Sequence, residues 1–261
     1  MTIKILLTND DSHDSPLFHY AIDALRQLGE LEIAVPATEQ SWKGKAMTRF
    51  GNLYAERIQI HDMPAWSISG TPADCVNLAV YSLLDTKPDV VVSGTNIGKN
   101  TGLSFMFSSG TVGACLEANI AGIPALALSQ ELQPEQFFQW GEQRAFDETT
   151  TDLLKRISAR FIPYVWHALD MTAHTEATTW NVNLPLSETE EPDLVYTRLG
   201  HTFYAGCFNQ RGDQYFHDLR SVDVDPAPDT DEVVVQSGKI SATLLNLKDF
   251  GQKIPPASEV S

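Results

Sequence analysis

Residues 3–11 read Ile3-Lys4-Ile5-Leu6-Leu7-Thr8-Asn9-Asp10-Asp11. A short apolar run that halts at a polar cluster has the form of a buried strand. Asp14-Ser15-Pro16 then offers a helix start, with a capping residue before a proline in the first turn. Leu17, Ala21, Ala24, Leu25 and Leu28 follow at helical spacing, and Gly29 can end the helix. Leu31–Val35 reads as a second strand.

Working outward, the alternation repeats. Trp66–Ser69 is strand-like, and Gly70-Thr71-Pro72-Ala73-Asp74 turns into a helix carrying Val76, Ala79, Val80 and Leu83. Asp89–Ser93 is a strongly apolar strand, Gly110–Ala121 a helix of small residues, and Ala125–Leu128 the next strand. Strands alternating with helices predict an α/β fold with a mostly parallel sheet flanked by helices. The second half is less regular. Residues 135–160 look helical, Trp180–Leu184 and Leu194–Arg198 look like strands, and 200–220 suggest extended strands or a hairpin. Asp223–Asp231 reads as an acidic loop and Glu232–Gln236 as a strand. The expectation is a single α/β domain: a core over about 1–190, a C-terminal β-rich extension over about 191–254, and a loose tail at 255–261.

Composition excludes several function classes. The 261 residues carry a formal net charge of −16, which repels a nucleic-acid backbone, so no duplex partner is expected. A small phosphorylated substrate stays compatible, because a bound divalent cation reverses the local field. No apolar run reaches about eighteen residues, so no membrane span is expected, and the N-terminus lacks a signal-peptide pattern. The three cysteines, Cys75, Cys115 and Cys207, form neither a disulfide framework nor a zinc spacing. Reduced thiols in the cytoplasm are the simplest reading.

The chemistry-bearing clusters fall at the carboxyl ends of the expected strands, where open α/β sheets bind ligands. They are Asn9-Asp10-Asp11, Ser41, Ser93 to Asn100, and Ser108 to Thr111. Two adjacent aspartates in a confined turn repel one another unless a cation lies between them. Oxygen donors of this kind suit magnesium or manganese; a solvated turn is the competing reading. Gly94 to Gly102 is a glycine-rich loop that lets backbone amides approach an anion, or else a plain turn. Ser109-Gly110-Thr111 opens a helix whose free amides and dipole favour an anion, or is an ordinary cap. Neither a Walker loop nor a dinucleotide fingerprint is present. His13 is a neighbour of the first cluster, with a surface role as the main alternative. Lys43 and Lys99 are candidate positive charges on the same terms. Cys75 and Cys115 fall on apolar helical faces and read as core.

Together these segments resemble the SurE family of 5′/3′-nucleotidases. The matching stretches are Leu7 to Asp11, Gln40-Ser41, Gly70 to Val76, Ser93 to Asn100, Ser109 to Ala114 and Asn181 to Pro185, with a looser match from Asp231 to Leu245. The resemblance implies a Rossmann-like core and one divalent cation per subunit, Mg or Mn, held by Asp10, Asp11, Ser41 and Asn96. It implies a phosphate cradle at Ser109, Gly110 and Thr111, and a homodimer or homotetramer that exchanges C-terminal segments. The expected activity is hydrolysis of nucleoside monophosphates, with short polyphosphate a further candidate. Asp10 and Asp11 are the expected catalytic carboxylates, with Asn96 and the Gly110 and Thr111 amides facing the phosphoryl group. A non-catalytic nucleotide- or phosphate-binding protein on the same fold is the alternative. The chain departs from the family pattern where Ser12, Leu17 and Trp42 replace glycines. Leu103 and Ser104 replace an acidic pair, and Ser108 replaces a tyrosine.

Overall fold

The structure is a computed structural model and describes residues 2–187, 192–219 and 222–251. In chain order the elements are β1 (Lys4–Thr8), α1 (Pro16–Leu25), β2 (Glu30–Pro36), β3 (Ala55–Ile60), β4 (Met63–Ile68) and α2 (Pro72–Leu78). There follow β5 (Val90–Ile97), α3 (Gly102–Ser108), α4 (Gly110–Ile120), β6 (Ala125–Gln130), α5 (Pro134–Gln143), α6 (Glu148–Ala168) and β7 (Thr179–Leu184). The last elements are β8 (Leu194–Tyr196), β9 (Phe203–Tyr204), β10 (Phe208–Arg211), β11 (Gln214–His217), β12 (Val222–Asp223), α7 (Asp231–Gln236) and β13 (Ile240–Leu245).

A nine-stranded sheet runs in the order β3-β4-β2-β1-β5-β6-β7-β13-β8. Strands β4, β2, β1, β5, β6 and β7 are mutually parallel, while β3 and β13 pair antiparallel to β4 and β7. Helices on both faces explain why the central strands are apolar throughout: every residue of β6 is buried, and only Asn96 of β5 is not. Strand periodicity splits the core in two. Ile5 and Leu7 join Phe18, Ile22, Phe161 and Trp166 on the α1/α6 face. Leu6 joins Cys75, Val76, Val112 and Cys115 on the α2/α4 face. Each large apolar side chain buried this way contributes about 1.5–3 kcal/mol of transfer free energy.

The chain winds from β1 to β2 on one side, and β5 then pairs on the other side of β1. In open α/β sheets a ligand crevice is expected at such a reversal, here between the carboxyl ends of β1 and β5. The Asp10–Asp11 turn and Asn96 stand there.

Several expectations need correction. Glu232–Gln236 is not a strand. It lies within helix α7, where Thr230 Oγ1 caps the Val233 amide at 3.4 Å and Asp231 and Glu232 occupy the first turn. The β preference of three consecutive valines loses to that cap and to burial of Val234 and Val235. Residues 135–160 form two helices, broken where Arg144 is left-handed (φ 53°) and restarted by Asp147, which caps the Thr150 amide at 2.8 Å. Helix α3 and strands β3 and β13 are elements that the sequence pattern did not mark. Residues 200–220 do contain a hairpin, β10–β11. The expected tail at 255–261 lies outside the described residues. Among the described residues, no helix is long and apolar enough to cross a membrane.

Candidate active site

Asp10 follows β1 and is buried, at 3% exposure. Its Oδ1 accepts a 2.6 Å bond from the Thr111 hydroxyl in the first turn of α4. A Cβ at Gly110 would stand 2.8 Å from the Asp10 Cβ and 2.9 Å from its Oδ2, so only glycine lets the carboxylate lie against the helix start. The Asp10 carbonyl accepts the Gln40 amide at 2.7 Å, which draws the loop after β2 to the same place.

Asp11 points toward β5. Its Oδ2 accepts the Ile97 amide at 3.0 Å, beside Asn96. The Asn96 side-chain amide donates to the Gly98 carbonyl at 2.6 Å. That bond uses the side-chain nitrogen, not the Oδ1. Asp10, Asp11, Asn96 and the Ser109–Thr111 turn thus converge on one crevice. Ser41 reaches it through its neighbour Gln40, but its hydroxyl donates to Glu39 Oε1 at 2.8 Å. Ser109 serves as the helix cap, its Oγ accepting the Val112 amide at 3.1 Å.

The electrostatics favour a cation. Burial raises the pKa of the Asp10 carboxyl, against the bond from Thr111, with Glu39 adding a further push. Asp11 is raised well above the ordinary carboxylate value, by burial first and then by the charge of Asp10. Glu39, a third carboxylate that sequence reading missed, adds repulsion and is itself paired with Arg144 at 2.7 Å. Among the described residues no group of three His, Cys, Asp or Glu side chains gathers as a metal cluster. A cation here therefore draws two carboxylates, with neutral oxygens completing its shell. That all-oxygen set, with the Asn96 amide oxygen beside two repelling aspartates, fits a hard divalent ion.

Other candidates have partners of their own: His13 pairs with Asp14 at 2.7 Å, and Lys99 with Glu131 and Glu232 at 3.4 and 2.9 Å. Lys43 is exposed. Cys75 and Cys115 are buried, and burial pushes both thiols far up.

Two of the departures from glycine acquire a physical meaning. Ser12 and Trp42 both sit in the left-handed region, at φ 71° and 64°. The backbone keeps a conformation that glycine adopts without strain, while the side chains change. Leu17 is instead a fully buried core residue of α1.

The chain matches known proteins along most of its length. Residues 5–206 match the family described as survival protein SurE. The 5'-nucleotidase SurE of Methanocella arvoryzae is 34% identical over 253 residues, covering 95% of this chain and 93% of that relative. The protein of the same name from Methanopyrus kandleri is 34% identical over 248 residues, covering 93% and 91%. The crystal structure of the SurE protein from Aquifex aeolicus superposes with a TM-score of 0.68 at 26% identity, covering 95% of both chains. A shared fold, a matching family over three quarters of the sequence, and full-length relatives at this identity lead to one conclusion: the chain belongs to the SurE family.

Proposed function

We propose that the chain is a divalent-metal-dependent phosphomonoesterase that hydrolyses nucleoside monophosphates. The relatives named 5'-nucleotidase SurE support the reaction class. The observation that carries the reading is the meeting of two carboxylates with a helix N-terminus. Asp10 is bonded to Thr111 at the start of α4, and Asp11 is bonded to Ile97 at the end of β5.

In this reading Asp10, Asp11, Asn96 and Ser41 would hold one Mg or Mn ion per subunit. Ser41 requires its hydroxyl to turn from Glu39. When bound, the ion supplies Lewis-acid polarisation of a phosphoryl oxygen. The remaining work belongs to the chain. The Gly110 and Thr111 amides and the α4 dipole receive the phosphate oxygens. Asp10 is locked by Thr111, so it fixes geometry. Asp11 has one oxygen held by Ile97, and its other oxygen is left to orient the attacking water. The Asn96 Oδ1 serves the ion, while its amide stays bound to Gly98.

The reading includes a homodimer or homotetramer exchanging C-terminal segments. The exposed rings of Phe203, Phe208 and Tyr215 support association there. It also includes a reducing, cytoplasmic setting, in keeping with three unpaired cysteines. The test is phosphate release from nucleoside monophosphates with Mn or Mg and with EDTA. Release that requires the metal is the expected result. Undiminished release in EDTA, or nucleotide binding without release, would overturn the reading.

A further inference from the structure

Trp42 is a bulky residue in a left-handed backbone conformation, φ 64°, which a side chain with a Cβ adopts only under strain. Such outliers persist where the surroundings over-determine them, and they cluster at functional sites. Trp42 adjoins Ser41 in sequence and is held by rings from separate parts of the chain. Its centroid lies 5.9 Å from Phe105 of α3, 5.3 Å from Tyr204 of β9 and 4.6 Å from His217 of β11. Despite three ring neighbours Trp42 remains 41% exposed.

The cluster is tied to the phosphate cradle. The Tyr204 hydroxyl and Ser108 Oγ are 2.5 Å apart, and Ser108 immediately precedes Ser109-Gly110-Thr111. The Gly44 amide donates to the Ser108 carbonyl at 2.9 Å. A Cβ on Gly113 would meet the Gly44 carbonyl at 2.2 Å, so the 41–44 loop lies directly on the first turns of α4. An aromatic wall therefore stands beside the anion-binding helix terminus, on the side where the loop bearing Ser41 crosses it.

We propose that this wall is the nucleobase subsite, with the open face of Trp42 stacking the base of a nucleoside monophosphate whose phosphate lies at Ser109–Thr111. The proposal rests on the phosphatase reading and names the feature that selects among phosphomonoesters. The chemistry is suited to it. A chain of net charge −16 gains little from long-range attraction of a phosphate dianion. Base–aromatic stacking is indifferent to that charge and tolerant of base identity.

The test compares AMP with ribose 5-phosphate, which carries the same phosphate and sugar but no base, in the wild type, Trp42→Gly and Trp42→Phe. Glycine relieves the backbone strain, so a folding failure is not expected, and thermal melts of each variant verify this. In Trp42→Gly the ratio of kcat/KM for AMP to that for ribose 5-phosphate is expected to fall about tenfold, through KM for AMP, as loss of one stack implies. Trp42→Phe is expected to restore most of the ratio. Quenching of tryptophan fluorescence by AMP without added metal, strong in the wild type and weak in Trp42→Gly, gives a readout independent of turnover. An unchanged ratio in Trp42→Gly, or unchanged quenching, overturns the stacking proposal. A wild type that releases phosphate from neither compound overturns the phosphatase reading instead, and the quenching result still decides the subsite.

Discussion

The stretch from β1 to β6 and the stretch from β8 to β13 are built on different terms. In the first, strands are sandwiched between helices and the polar residues collect at one edge, so Asp10, Asp11 and Asn96 stand on a close-packed frame. In the second, β8 and β13 add to the sheet, but β9 to β12 form two small ribbons with Phe203, Phe208 and Tyr215 in the open. The contrast separates two jobs. In the proposed function, the first region holds Asp10 and Asp11 by hydrogen bonds to Thr111 and Ile97. The second brings Tyr204 and His217 against Trp42 at the margin of the site. Chemistry is then expected to fail with changes in the first region, and selectivity or marginal stability with changes in the second.

The largest expected effect is on Asp10→Asn and Asp11→Asn. Each is expected to lower kcat by about a thousandfold, the scale of losing one preorganised charge-stabilising group, with little loss of melting temperature. Near-normal turnover in either would erase the distinction between the two regions. Next is Gly110→Ala, whose methyl group must enter space 2.8 Å from the Asp10 Cβ. It is expected to destabilise by about 2 kcal/mol in a denaturant titration and to reduce activity more than stability alone explains.

Lys45→Ala tests how the crossing loop is pinned. Lys45 Nζ lies 2.5 Å from Glu117 Oε2, and Glu117, on α4, also accepts the Asn77 amide at 2.7 Å. Removing the lysine leaves a buried carboxylate half-paired, a change expected to cost about 2 kcal/mol; this is below the fully buried case because Lys45 is partly solvated. Melting curves and the KM for AMP report the two consequences.

The smallest effect concerns the C-terminal region. Arg198 pairs with Asp225 at 2.9 Å and Asp229 at 3.1 Å, and the guanidinium beside Asp225 holds its carboxyl well below the usual range. A depressed folded-state pKa means the contribution is fully present above the ordinary carboxylate value and is lost as pH falls through the folded one. Arg198→Ala is therefore expected to lower the melting temperature slightly at neutral pH, and the gap is expected to close in strong acid. A gap that widens with acidification would contradict the assignment.

The first region was largely legible because its signals are local. An apolar run ending in Asn9-Asp10-Asp11, and Ser109-Gly110-Thr111 opening a helix, announce both the elements and the edge on which they meet. The second region was not, because its decisive interactions are distant in sequence. Val233-Val234-Val235 favours a strand until the Thr230 cap and the packing of Val234 and Val235 decide otherwise. The β13 strand finds its place by pairing with β7 and β8, both distant in sequence. Glu39 carried no motif, and its relevance comes from its charge, which pushes up the carboxyls of Asp10 and Asp11. Trp42 was visible as a replaced glycine, but neither its ring neighbours nor its left-handed backbone could be read from spacing.

The most direct test of the central assignment is anomalous diffraction from crystals soaked in manganese, paired with calorimetric titration of the same ion. One peak in contact with the Asp10 and Asp11 carboxylates and the Asn96 Oδ1 is expected, with one ion bound per subunit and none in Asp11→Asn. An empty crevice in crystals of protein that is fully active with manganese would contradict it.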